Sequence, residues 1–279
     1  MARVAADAQL AVTETGRGPA ALLVHGWTGF KESWGALPEA LAAAGMRVVA
    51  VDLPGWGASR AGRGQRHDVL AYADALAPLV TRLAPVALVG HSLGAGPALV
   101  LAAREPARVS RLALIAPVGV PERVGWPPQS PFEAFALPIL GRPLCWAACA
   151  ALRHSRTRCF EGYRSAVADP ERLERDPQLV ALADSACKRL RRTSVRALAA
   201  SLGAVVRADL RPLAAQIDQP ALVVIGERDR VVHPGAAASL ARNLRAARLL
   251  RVADAAHLPH IERPDVVCGA IAAHLAPRP

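Results

Sequence analysis

Ser92, Asp229 and His257 are the residues of this chain whose types and order could carry out acyl transfer. A serine hydroxyl is a poor nucleophile near neutral pH. It needs a base to take its proton, and the base needs a carboxylate to fix its tautomer. Ser92 lies in Gly90-His91-Ser92-Leu93-Gly94, between the apolar run Val86 to Val89 and the helix-like stretch Ala95 to Ala103. A Gly-x-Ser-x-Gly pentapeptide on a strand-to-helix corner is a nucleophile elbow. Gly90 and Gly94 keep the corner small, and Gly96 is expected to let the helix sit close to the sheet. The competing reading of Ser92 is a helix N-cap.

The partners follow in the chain order Ser, acid, His. Asp229 stands just past the apolar run Ala221 to Ile225, at the strand end where sites on such sheets are built. Glu227 is the runner-up acid. His257 lies between the run Arg248 to Val252 and the last helical stretch, and His260 competes with it. Two backbone amides are candidates for an oxyanion hole: that of Leu93, next to the nucleophile, and that of Trp27, in the loop after the run ending at Val24. His25 reads as a loop-bracing residue, and Asp52, before Pro54-Gly55, as a turn former.

These residues need a scaffold that brings strand ends together. Short unbroken apolar runs at 21–24, 47–51, 86–89, 112–115, 221–225 and 248–252 alternate with helix-like stretches at 31–44, 69–83, 235–244 and 264–275, and 9–15 alternates as an edge strand. That rhythm predicts an α/β fold with a mostly parallel sheet covered on both faces. It breaks after Pro117. The expected division is a core of residues 1–117 and 213–279 with a helical insertion at 118–212.

The chain has 279 residues, 52% of them hydrophobic, which suits one large packed domain rather than disorder. No run reaches the length of a membrane span, and residues 1–18 show no apolar leader, so a cytoplasmic protein is expected. Its five cysteines show no metal-site spacing and read as free buried thiols. The formal net charge of +11, almost all arginine, comes without a nucleic-acid motif. An acidic partner remains a functional explanation for it, and a GC-rich genome the bland one.

Taken in order, the His25-Gly26-Trp27 loop, the Asp52-to-Gly57 loop, the elbow at Ser92, the Gly226-to-Asp229 segment and His257-Leu258-Pro259 resemble the α/β-hydrolase superfamily along nearly the whole chain. The resemblance implies an eight-stranded sheet with an inserted helical cap at 118–212. It further implies Ser92 as nucleophile, His257 as base, Asp229 as acid, and oxyanion amides from Leu93 and Trp27. It implies no cofactor and no metal. A serine, rather than an aspartate, at the elbow speaks against dehalogenases and epoxide hydrolases of this fold. The expected activity is hydrolysis of a small-molecule carboxylic ester with a hydrophobic acyl group. A thioester, or an ester on an acyl carrier protein, is the alternative, and a noncatalytic binding protein is the third reading. Phe132, Phe135, Leu137, Ile139, Leu140 and Trp146 are the cap residues expected to line the pocket.

Overall fold

The computed structural model describes residues 10–121, 135, 137 and 139–276. Seven strands form one sheet in the order β1-β3-β2-β4-β5-β6-β7. They are β1 (Val12–Thr15), β2 (Ala20–Val24), β3 (Arg47–Val51), β4 (Val86–His91), β5 (Val109–Ile115), β6 (Ala221–Gly226) and β7 (Ala247–Val252). Only β1 runs antiparallel, along β3. β1 and β7, the two edge strands, are the largely exposed ones. β2, β4 and β6 are buried along their whole length.

Successive residues feed opposite layers. Ala21, Leu23, Val48 and Val89 pack with helices α1 (Leu37–Ala43) and α11 (Pro264–Leu275). Leu22, Val24, Val49 and Leu88 pack with α2 (Val69–Leu83), α3 (Ala95–Arg104) and α10 (Pro234–Asn243). Three expectations need correction. The described residues hold seven strands, matching the apolar runs in the sequence; the eighth came from the family pattern and has no run of its own here. The helix expected over 31–44 begins only at Leu37, because Gly35 takes a left-handed φ of 55° that no helix accommodates. Gly96 makes room for a helix rather than the sheet: a β-carbon there would lie 2.9 Å from both methyls of Val69 at the start of α2.

Between β5 and β6 the chain turns helical. Helices α4 (Gly141–His154), α5 (Arg156–Ala166), α6 (Pro170–Arg175), α7 (Pro177–Leu190), α8 (Val195–Val205) and α9 (Arg211–Ala214) follow one another with short joints. Several joints are written into the sequence as caps. Ser155 accepts from the Arg158 amide at 3.2 Å, Asp176 from Gln178 at 2.9 Å and Ser194 from Ala197 at 3.0 Å. α5 and α7 pack together, and Cys159 and Cys187 form a disulfide across them with their Cα atoms 5.8 Å apart. The expectation of five free thiols therefore fails for this pair. A separation of 28 residues leaves no spacing signature, and only the packing of two helices brings the thiols together. The cysteine content accordingly no longer argues for a reducing compartment. Cys145, Cys149 and Cys268 are free and buried. Among the described residues no helix is long and apolar enough to cross a membrane.

Candidate active site

β4 ends at His91, and Ser92 turns the chain into α3 with a φ of 49°. A non-glycine residue in the left-handed region costs about 1–3 kcal/mol and persists only where its surroundings enforce it. Here the flanking glycines enforce it. A β-carbon on Gly94 would lie 2.0 Å from the carbonyl oxygen of Val24, and one on Gly90 2.6 Å from the Cα of Ala95. The elbow is thus wedged between β2 and α3, and the hydroxyl stands clear of the strand tips.

Ser92 Oγ lies 3.0 Å from Nε2 of His257, whose Nδ1–H donates to Oδ2 of Asp229 at 2.9 Å. The other carboxylate oxygen of Asp229 accepts from the amides of Val231 at 2.8 Å and Val232 at 2.9 Å, so the acid cannot rotate away. All three side chains are buried. With Nδ1 protonated toward the carboxylate, Nε2 presents its lone pair to the serine proton, which general-base activation requires. Trp27 and Leu93 border the same cavity as Ser92 and His257.

The rival residues are committed to other partners. Glu227 is exposed and pairs with Arg251 at 3.1 Å. Asp52 receives the amides of Lys31 at 2.7 Å and Ala58 at 2.7 Å, which makes it a turn brace. His25 accepts from the Leu53 amide at 3.1 Å through Nε2 and donates from Nδ1 to the Gly26 carbonyl at 2.8 Å. His260 is buried against Trp34 and His91 on the wall of the same cavity, and it is His257, not His260, that reaches Ser92 Oγ. Burial pushes its pKa down to about 4 and holds it neutral.

Two residues close to His257 escaped the sequence reading. His91 donates from Nε2 to the His257 carbonyl at 2.9 Å, and burial holds its pKa well below the usual histidine range. Glu262 is a buried carboxylate. One of its oxygens accepts from the amides of Ala256 at 2.9 Å and Leu258 at 3.3 Å, on either side of His257. The other accepts from Ala168 at 2.6 Å, in the helical insertion. Burial raises its pKa, and the three amides act in the opposite direction. Three residues past a Leu-Pro pair, it has the spacing of an ordinary first-turn helix acid, so the sequence carries no signal that marks it out.

The cavity over Ser92 encloses about 190 Å³. Its far wall is apolar: Val118, Val120, Leu152, Leu202, Val205 and Val206, with Tyr163 reaching the Thr28 carbonyl at 3.4 Å. This corrects the expected lining. Ile139, Leu140 and Trp146 are exposed at 84%, 58% and 55% and do not border the cavity. Leu137 is half-buried away from it, Phe135 packs on the main core, and Phe132 falls outside the described residues.

Residues 19–264 match the model of the family described as serine aminopeptidase, S33. The pimeloyl-[acyl-carrier protein] methyl ester esterase of Nitrosospira multiformis is 30% identical over 262 residues, covering 92% of this chain and 94% of that protein. The enzyme of the same name from Neisseria meningitidis serogroup C is 32% identical, covering 87% and 88%. Among solved structures, the enol-lactonase of Burkholderia xenovorans LB400 superposes with a TM-score of 0.76 at 25% identity, covering 98% of each chain.

Proposed function

The chain belongs to the serine aminopeptidase S33 family of α/β-hydrolases and is a serine hydrolase acting on carboxylic esters, and from that premise we propose how it does so. Ser92 is the nucleophile, His257 the base and Asp229 the acid that fixes the imidazole. The single observation carrying this is the unbroken Ser92–His257–Asp229 chain of contacts at 3.0 and 2.9 Å. Ser92 Oγ attacks the acyl carbon as His257 Nε2 takes its proton. The oxyanion that forms is held by the amides of Leu93 and Trp27. The imidazolium then protonates the leaving alkoxide, and a water activated by the same nitrogen releases the acid from Ser92.

The substrate is an ester with an apolar acyl chain. The wall formed by Leu152, Leu202, Val205 and Val206 offers contact area and no cation to hold a charged acyl terminus. Residues 118–212 act as the cap that supplies this wall. A second reading, an ester whose acyl chain is borne by an acyl carrier protein, is favoured by the names of the relatives and by exposed basic residues such as Arg158 on α5.

Turnover of p-nitrophenyl esters of graded acyl length tests the proposal. Ser92→Ala should stay folded and lose a factor of about 10⁴–10⁶ in kcat. Turnover left intact in that variant would sink the assignment. A carrier-borne ester hydrolysed with strong salt sensitivity, beside a salt-insensitive free ester, would select the second reading.

A further inference from the structure

A second cavity, of about 570 Å³, opens between the core and the helical insertion, and its chemistry is the opposite of the first. Arg66 reaches it from the loop before α2, Arg142 from the first turn of α4, Arg196 from the first turn of α8 and Arg207 from the turn just past its last residue. It lies on the face of α8 turned away from the reaction cavity: Leu202 and Val205 line one, Ala199 and Gly203 the other.

The charges there are not balanced. The one carboxylate in the lining is Asp68, and it is already engaged: Oδ1 caps α2 through the Ala71 amide at 2.9 Å, and Oδ2 takes Arg66 at 2.6 Å. Among the described residues, Arg142, Arg196 and Arg207 have no carboxylate within ion-pair distance. Elsewhere Arg47, Arg104, Arg156 and Arg245 each sit on one. Arg196 is near enough to His67 to reinforce burial in keeping that imidazole neutral. Arg207 folds back over Gly203, where a β-carbon would lie 2.9 Å from its Nη2, so the helix leaves a berth for the guanidinium. Gathering cations without counter-charges costs energy that a bound anion relieves. Planar guanidinium forks match the oxygens of a phosphate. The exposed indole of Trp146 lies in the same lining, a flat surface beside the charges.

We propose that this groove is a second ligand site, separate from the ester-cleaving one, that binds a phosphate-bearing anion through Arg142, Arg196 and Arg207, with Trp146 receiving any ring attached to it. It rests on none of the ester chemistry, and its failure leaves that reading untouched.

Calorimetric titration of the full chain at low salt, with inorganic pyrophosphate and with ADP as probes, tests it. One-site saturable binding is expected, weakened at least about ten-fold in the Arg196→Ala/Arg207→Ala double variant, since a hydrogen bond to a charged group carries roughly that factor. Turnover of a neutral short-chain ester should be unchanged in the same variant. Tighter ADP binding that Trp146→Ala abolishes would assign the site to a ring-bearing phosphate. Equal binding of both probes would assign it to the phosphate alone. No saturable binding of either probe overturns the proposal, as does binding that survives the double variant unweakened. Should that variant not fold, Arg142→Gln, at an exposed helix start, carries the same expectation and the same refutation.

Discussion

The two sides of the reaction cavity are built by different rules. On the core side, the polar groups around Ser92 are fixed by hydrogen bonds: Asp229 by two backbone amides, His257 by the His91 side chain at its carbonyl, and the flanking loop by the Glu262 carboxylate. On the other side, the insertion presents apolar side chains from α4 and α8, any of which could be exchanged for another of similar size. On the proposed reading, hydrogen-bonded loops would fix the reaction and the more exchangeable apolar wall its selectivity. Polar contacts that join the sides include the indole of Trp27 donating to Leu198 at 3.0 Å, the His257 amide to Ala166 at 2.9 Å, Tyr163 to Thr28 at 3.4 Å, Arg172 to the Glu262 carbonyl at 3.1 Å, and the Ala168 amide to the Glu262 carboxylate.

The sharpest way to break this contrast is at Asp229. Asp229→Asn keeps the shape and offers its amide where Nδ1–H must donate, so the imidazole is driven to the wrong tautomer. A fall of about 10⁴ in kcat is expected, with KM nearly unchanged. A comparable loss from truncating Leu202, which only lines the wall, would show that the two sides are not separable.

This asymmetry also governs what the sequence made legible. Ser92, Asp229 and His257 could be read because strand ends, glycines and chain order constrain them. The wall could not: Trp146 and Val206 are equally apolar in the sequence, yet one faces solvent and the other the cavity. Which face of an insertion helix points inward depends on how the insertion docks, and no local pattern encodes that. The Cys159–Cys187 pair is hidden for the same reason, and Glu262 because one of the amides it holds, that of Ala168, comes from a distant segment.

A smaller effect sharpens the core side alone. His260 has a folded-state pKa pushed down to about 4, against about 6.5 when unfolded. A depressed pKa contributes stability that is present above the unfolded value and lost as pH falls toward the folded one. Between pH 6.5 and 4 the unfolded chain takes up a proton that buried His260 refuses, so up to about 3 kcal/mol should vanish over that window. Urea unfolding at a series of pH values measures it. His260→Gln should flatten the slope, with the remaining buried histidines supplying what is left. An unchanged slope would refute the assignment.

The least of the expected effects is the most informative, because Glu262 belongs to both sides. Its carboxylate fixes the amides flanking His257 and, through Ala168, the insertion above them. In Glu262→Gln the amide oxygen can keep the two flanking contacts, but its NH₂ then faces the Ala168 N–H, donor against donor, and that joint is lost. The imidazole should be held less firmly over Ser92, and small displacements of a base are costly. We expect kcat to fall about ten-fold with KM little changed. A purely structural role would lower the melting temperature and leave chemistry alone, so the discriminating measurement is the rate at which a small fluorophosphonate labels Ser92, since that reagent needs the Ser92–His257 geometry but not the apolar wall. Labelling slowed in step with kcat makes Glu262 a positioning residue for the base. Labelling at the native rate, with a lowered melting temperature, would return it to the scaffold, as one of several contacts that join the two sides of the cavity.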